Sequence, residues 1–178
     1  TNKIEGDFNM AGGFIGKGAF TGDGVTPNYV DIWNDDIDDF EFGQGSFTIE
    51  AWAKSSATVG GLIGSYWGSD LPMYQLDLGN GTTTNFRINA TGASAYPAYL
   101  SQVNATSDPM DDKWHHFAAV RDTSAAVIRL YIDGKLEAET SDAATTSAGG
   151  DGVDNGQNKK IGARGGYVPL SGNIARGS

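Results

Sequence analysis

Cysteine is absent from the 178 residues. That excludes disulfides, thiolate metal sites and a cysteine nucleophile. It leaves secretion open, because a chain of this length can build a core that needs no cross-links. Long apolar runs are missing as well; none approaches the roughly eighteen residues of a membrane span. Basic side chains are scarce, with 12 Lys and Arg against 22 Asp and Glu, for a net charge of −10. Such a surface repels phosphate backbones and anionic lipid, so the expected partners include no nucleic acid and no membrane insertion. Histidine occurs only at His115 and His116. Apolar spacing of three and four is nowhere sustained over ten residues without a glycine or a β-branched run, so long helices are not expected.

What is present is alternation with period two, punctuated by glycine. There are 26 glycines, enough for the many tight turns that short strands require. Hydrophobic residues make up 39% of the chain, enough to fill one sandwich core. In Ser46–Lys54, Phe47, Ile49, Ala51 and Ala53 share one face, and Thr48, Glu50, Trp52 and Lys54 share the other. The first set suits a core; the second suits a face partly open to water, with Trp52 as its apolar exception. In Val127–Asp133, Ile128, Leu130 and Ile132 point one way and Val127, Arg129, Tyr131 and Asp133 the other. Asp133-Gly134 follows, and Lys135–Thr140 alternates again, which is a hairpin signal because the turn needs positive φ. Further strands are expected at Phe14–Phe20, Tyr29–Trp33, Gly61–Tyr66, Tyr74–Leu78, Phe86–Asn89, Trp114–Arg121 and Lys160–Ala163. Ser141–Asn158, rich in Ala, Thr, Gly and Asp, reads as a mobile loop. The fold class expected is an all-β, antiparallel two-sheet sandwich in one domain spanning residues 1–178.

Several of these pieces, in this order, resemble the laminin G-like, concanavalin A-like lectin/glucanase jelly-roll family. They are Ala19–Gly24, Tyr29–Ile32, Phe42–Trp52, Asp112–Asp122, Leu130–Lys135, Ile161–Arg164 and Gly172–Ile174. The resemblance implies a jelly roll of two antiparallel sheets packed face to face, one of them concave. It also implies an extracellular setting, secreted or cell-surface, and a domain excised from a larger protein. Sugar-binding modules, adhesion domains and accessory domains of polysaccharide-degrading enzymes all share this fold, so the resemblance alone does not assign an activity. Two departures are expected to matter. After Gly172-Asn173-Ile174 the chain ends in Ala175–Ser178, so the final strand should be short, truncated or replaced. Thr1–Gly13 is unlike the family's opening strand. Together they could leave a sheet edge exposed or covered by a partner.

Catalytic signals are weak. Laminarinase-type hydrolases of this fold carry Glu-x-Asp-x-x-Glu on one strand, as nucleophile and acid. The nearest match, Asp36–Glu41, begins with Asp and lies between strands, where a loop cannot hold two carboxylates at fixed separation. His115 and His116 are adjacent on a strand and so point to opposite faces, which suits packing or hydrogen bonding. The chain is therefore expected not to be an enzyme.

Binding signals are stronger. Sugars stack on aromatic rings and pair their hydroxyls with polar side chains. Tyr66-Trp67, leading into Gly68-Ser69-Asp70, is the first candidate; Tyr96-Pro97-Ala98-Tyr99 is the second, and Tyr167 after Arg164-Gly165-Gly166 the third. Trp52 and Trp114 lie in framework strands and read as structural. Acidity has a solubility reading and a calcium reading. Asp23 is the metal candidate, because members of the resembled family often hold an ion there. Asp31, Asp35, Asp36, Asp38 and Asp39 form a second acidic group, and Asp151–Gly156 lacks the ligand alternation of an EF-hand. A pentraxin-type double calcium site is not expected, since Arg164-Gly165-Gly166 stands in its place. Asn80, Asn89 and Asn104 each open a glycosylation triplet of little weight. The expectation is a non-catalytic, lectin-like module for a polysaccharide or glycan, with calcium as the possible cofactor. The alternative is a protein-binding adhesion domain; a glycoside hydrolase or lyase ranks third.

Overall fold

The computed structural model describes residues 19–23, 29–32, 42–57, 59–64, 73–80, 83–89, 100–143, 159–164 and 168–175. Fourteen strands occur among them: β1 (Ala19–Asp23), β2 (Val30–Ile32), β3 (Phe47–Lys54), β4 (Val59–Gly64), β5 (Met73–Asn80), β6 (Asn85–Asn89), β7 (Leu100–Asn104), β8 (His115–Asp122), β9 (Val127–Ile132), β10 (Lys135–Ser141), β11 (Lys159–Ile161), β12 (Ala163–Arg164), β13 (Val168–Pro169) and β14 (Ser171–Ala175). They form two six-stranded sheets, ordered β1-β14-β3-β8-β9-β10 and β2-β11-β4-β5-β6-β7, and a small β12-β13 ribbon. Neighbouring strands are antiparallel. This is the two-sheet sandwich that the alternation predicts.

The inner faces meet in one core. Phe47, Ile49, Ala53, Phe117, Ala119, Ile128, Leu130 and Ile132 come from the first sheet. Leu62, Tyr74, Leu76, Leu78, Phe86, Ile88 and Val103 come from the second. Phe42 stacks on Phe47 at 4.3 Å between ring centroids, and Phe47 meets Phe86 edge-on at 6.3 Å. The Phe47–Phe86 pair joins the sheets, and a ring contact of this kind is worth about 1 kcal/mol beyond its buried area. The β9–β10 hairpin turns at Asp133 and Gly134 with φ of 51° and 78°, the left-handed pair that such a turn requires.

The last strand is short, as expected, and among the described residues it lies inside its sheet. β14 runs for five residues and pairs on both sides, with β1 through Ile174↔Phe20 and with β3 through Ile174↔Ala53. Ile174 is buried, and among the described residues the strand sits inside the sheet with β1 as its outer neighbour. The first three residues of Ser141–Asn158 are ordered by strand pairing and burial, and residues 144–158 lie outside the described residues. Ser141 closes β10, and Asp142 is fully buried against Arg121, with Nε to Oδ2 at 2.8 Å. Two strands lack strong alternation in sequence and appear only in the structure: β7 and β13. Residues 1–18, including most of the expected Phe14–Phe20 strand, lie outside the described residues.

Candidate ligand-binding face

The second sheet has one apolar face and one polar face. Tyr74, Leu76 and Leu78 of β5, and Phe86 and Ile88 of β6, enter the core. Alternation then turns Gln75, Asp77, Asn85, Arg87 and Asn89 to the other side. Val103 is in the core, so Gln102 and Asn104 of β7 join them. Strand register arranges these residues in rows. Lys160↔Gly64, Gly64↔Gln75, Gln75↔Arg87 and Arg87↔Gln102 form the first. Gly61↔Asp77, Asp77↔Asn85 and Asn85↔Asn104 form the second.

Side chains in the rows hold one another. Arg87 Nη2 donates to Gln75 Oε1 at 2.9 Å, and Gln75 Nε2 donates to Asp77 Oδ1. Arg87 Nη2 also stands 3.7 Å from Asp77 Oδ2. Glycine at 64 makes room for this chain: a β-carbon there would lie 2.9 Å from Gln75 Cγ. Gln102 Nε2 donates to Asn104 Oδ1 at 2.9 Å. Lys160 places its ammonium 4.0 Å from the centre of the Tyr29 ring. Gln75, Asp77, Asn85, Arg87 and Asn89 are buried; Gln102 is half-buried and Asn104 exposed, so the rows open toward the β7 edge. Planar amide, carboxylate and guanidinium groups held in fixed orientation are the donors and acceptors that a hydroxyl-rich ligand needs.

Of the ligand-binding residues singled out from sequence, only Arg164 lies among the described residues. Tyr66, Trp67 and Asp70 fall in the β4–β5 connection, and Tyr96 and Tyr99 in the β6–β7 connection, all outside the described residues. β4 and β6 run the same way, so both connections leave from one end, where Gly64 faces Gln75 and Met73 faces Asn89. Arg164 belongs to β12, and Tyr167 to the β12–β13 turn outside the described residues. β11 runs antiparallel to β4, so this hairpin follows at the opposite end. Asp23 closes β1 opposite Ser171, in the first sheet. Asp35, Asp36, Asp38, Asp39 and residues 151–156 lie outside the described residues. Among the described residues, no group of three or more His, Asp or Glu side chains is arranged to hold a metal. Asn89 is buried, which closes its triplet to glycosylation in the folded state.

The polar rows escaped sequence reasoning because polar residues at alternate strand positions look like a solvated face. One signal could have found them: outward positions filled by Gln, Asp, Asn and Arg, where Thr, Lys and Glu serve an exposed strand.

The histidines do point to opposite faces. His116 lies beside Trp52, with ring centroids 5.3 Å apart, and its Nε2 is 3.6 Å from Glu50 Oε2. His115 Nδ1 is 2.7 Å from Asp133 Oδ2, and its Nε2 is 3.0 Å from Asp111 Oδ1. Ionised carboxylates only accept, so both ring nitrogens must donate and the ring is an imidazolium. Partial burial opposes that charge, but the bonds to Asp133 and Asp111 outweigh it and raise the His115 pKa above 6.5. Asp133 Oδ1 also accepts from the His116 amide at 2.9 Å, so the clamp ties the β9–β10 turn to the start of β8. A raised folded pKa stabilises fully below the unfolded value and loses that contribution as pH rises through the folded value. Urea denaturation should therefore show about 1 kcal/mol less stability on the alkaline side of that window than at pH 6. In His115→Gln this alkaline decline should vanish; an unchanged pH slope would remove the clamp from the account.

A second anchor stands beside the β7 edge. Glu137 Oε2 accepts from the Thr106 hydroxyl at 2.7 Å and from the Ser107 amide at 2.8 Å, while Lys135 Nζ reaches Oε1 at 3.0 Å. Led by the Thr106 bond, these donors lower the Glu137 pKa to about 2. They bind the segment after β7 to β10 of the opposite sheet and so steady the open edge of the polar rows.

A model of the concanavalin A-like lectin/glucanases superfamily matches residues 26–176. The chain belongs to that superfamily. The laminin G-like resemblance of its motifs is thereby borne out, as is the sandwich. No curated protein matches the chain. Among solved structures, domain 4 of a GH43 extracellular arabinanase from Geobacillus stearothermophilus, in complex with arabinotriose, superposes with a TM-score of 0.65 at 14% identity, covering 96% of this chain and 73% of that one. The CBM40 of the Ruminococcus gnavus IT-sialidase, bound to α2,3-sialyllactose, gives 0.53 at 16% identity, covering 75% and 72%. Domains LG4-5 of the mouse laminin alpha1 chain give 0.54 at 14%, covering 72% of this chain and 34% of that one. The superfamily domain thus spans about a third of the laminin fragment it matches. At these identities the likeness is one of fold.

Proposed function

We propose that this chain is a non-catalytic carbohydrate-binding module of an extracellular protein or polysaccharide-processing enzyme. The observation that carries the reading is the oriented polar face of β5, β6 and β7, open at Gln102 and Asn104. The arabinotriose-bound and sialyllactose-bound neighbours support it, because both are carbohydrate-bound domains of this fold. In this reading Tyr66, Trp67, Asp70, Tyr96 and Tyr99 supply the stacking and rim contacts at the end where their connections leave the sheet. Arg164 and Tyr167 would serve a separate contact, and a calcium ion at Asp23 would be structural. No catalytic residue is proposed.

A glycan array with and without calcium tests this directly. Binding should appear on at least one glycan. Trp67→Ala, and separately Gln102→Ala with Asn104→Ala, should each weaken it about tenfold, the effect of losing one stacking contact or one or two hydrogen bonds. Silence across the array under both conditions would overturn the reading. Calcium dependence abolished by Asp23→Ala would place the ion there. Turnover of a polysaccharide panel, lost in Glu41→Gln, would replace the binding role with a catalytic one.

A second reading, a protein-binding adhesion domain, draws on the laminin likeness and on Leu136, which is 46% exposed on the edge strand β10. Capture of cell-surface protein that survives glycosidase treatment would favour it.

A further inference from the structure

The second row of the polar face contains an acceptor without a donor. Asn85 is 1% exposed, and no donor among the described residues reaches its Oδ1. Leaving a buried carbonyl without a hydrogen bond costs about 1–3 kcal/mol. Asn85 lies between Asp77 on β5 and Asn104 on β7, so the carbonyl stands in a row of acceptor-bearing side chains that opens at exposed Asn104. Two cations nearby have neighbours of their own. Arg87 faces Gln75 and Asp77, and Lys160 lies over Tyr29.

Resting on the carbohydrate reading, we infer that this face selects neutral glycans over acidic ones, with Asn85 Oδ1 accepting a hydroxyl of the ligand. A sugar hydroxyl is the donor that an orphan acceptor needs, and the register partner of Asn85 at the β7 edge, Asn104, is exposed. A sugar carboxylate brings more acceptors to a row already led by Asp77, and the chain's net charge of −10 adds repulsion. The unsatisfied carbonyl is a cost the free protein carries and the bound ligand relieves, so affinity and stability should respond to it in opposite directions.

The experiment compares two probe sets by titration calorimetry at low salt. The neutral set is arabinotriose with cello- and laminari-oligosaccharides; the acidic set is 3′-sialyllactose with oligogalacturonate. The neutral set should contain the ligand, and the acidic set should bind at least tenfold more weakly. Asn85→Leu, of similar volume, should lose at least tenfold in neutral-glycan affinity while its Tm stays equal to or above that of the parent, because the orphan carbonyl has gone. Tighter binding of acidic probes overturns the inference and leaves the carbohydrate reading standing. Failure of both sets to bind overturns the carbohydrate reading itself. A fall in Tm of more than about 3 °C in Asn85→Leu shows that the carbonyl has an internal partner, against the inference. Unchanged affinity with unchanged Tm means that the acceptor holds an ordered water only, which also overturns it.

Discussion

Arg121→Ala should lower the free energy of unfolding by about 3–5 kcal/mol, a range set by breaking a buried ion pair from one side. Arg121 and Asp142 have side chains 2% and 0% exposed, and Nε meets Oδ2 at 2.8 Å. Removing the guanidinium strands the Asp142 carboxylate in the interior. It also deprives the Gly43 carbonyl of its bond from Nη1 at 3.0 Å. Three parts of the chain meet at this residue: the end of β8, the turn before β3 and the segment that follows β10. The measurement is urea denaturation, where the midpoint should fall with little change in m. Asp142→Ala should cost a similar amount. The double replacement Arg121→Met with Asp142→Leu should recover most of the loss, because the penalty belongs to the unpaired charge and not to the missing pair. Equal losses in the single and double variants would contradict this.

Gly172→Ala should cost about 3 kcal/mol or more, the sum of a glycine-only backbone and an overpacked contact. Gly172 has φ of 154°, and a β-carbon on it would lie 2.2 Å from the Lys54 carbonyl oxygen and 3.0 Å from Ser55 Cβ. The obstacle is backbone, so no rotamer change relieves it. Movement would have to pull β14 from β3 at Asn173↔Lys54, beside the Ser55 hydroxyl bond to the Ser171 carbonyl. Because β14 also carries β1, the loss should spread outward: hydrogen exchange in Gly172→Ala should accelerate in Ala19–Asp23 more than in β9. Gly134→Ala makes the contrast. Gly134 has φ of 78° but nothing within 4 Å of its β-carbon position, so that replacement should cost only the backbone strain, about 1–2 kcal/mol.

Much of this molecule is legible in its residues. Phe47, Ile49 and Ala53, and Ile128, Leu130 and Ile132, announce strands and say which side is buried. Asp133-Gly134 announces a hairpin, because few other residues accept positive φ. The candidate site is less legible. Trp67 and its neighbours stand out because aromatics in turns have no packing demand to meet. Gln75, Asp77, Asn85 and Arg87 do not stand out, since each is an ordinary outward residue on its own strand. The same limit hid the place of β14 in its sheet, since one buried apolar residue, Ile174, carries its packing signal.

By itself, then, the sequence determined that this chain is built from strands, which face of the alternating strands is apolar, and where the sharpest turn falls. These follow from side-chain alternation and local backbone preference, which act over a few residues. Only the tertiary structure decided which strands are neighbours: β14 between β1 and β3, and β11 between β2 and β4. Pairing is a contest among distant segments with similar patterns, settled by how well their side chains fill one core and by the register that follows. The polar face exists at that level alone. Asp77, Asn85 and Asn104 are separate residues in the chain, and register makes them a row.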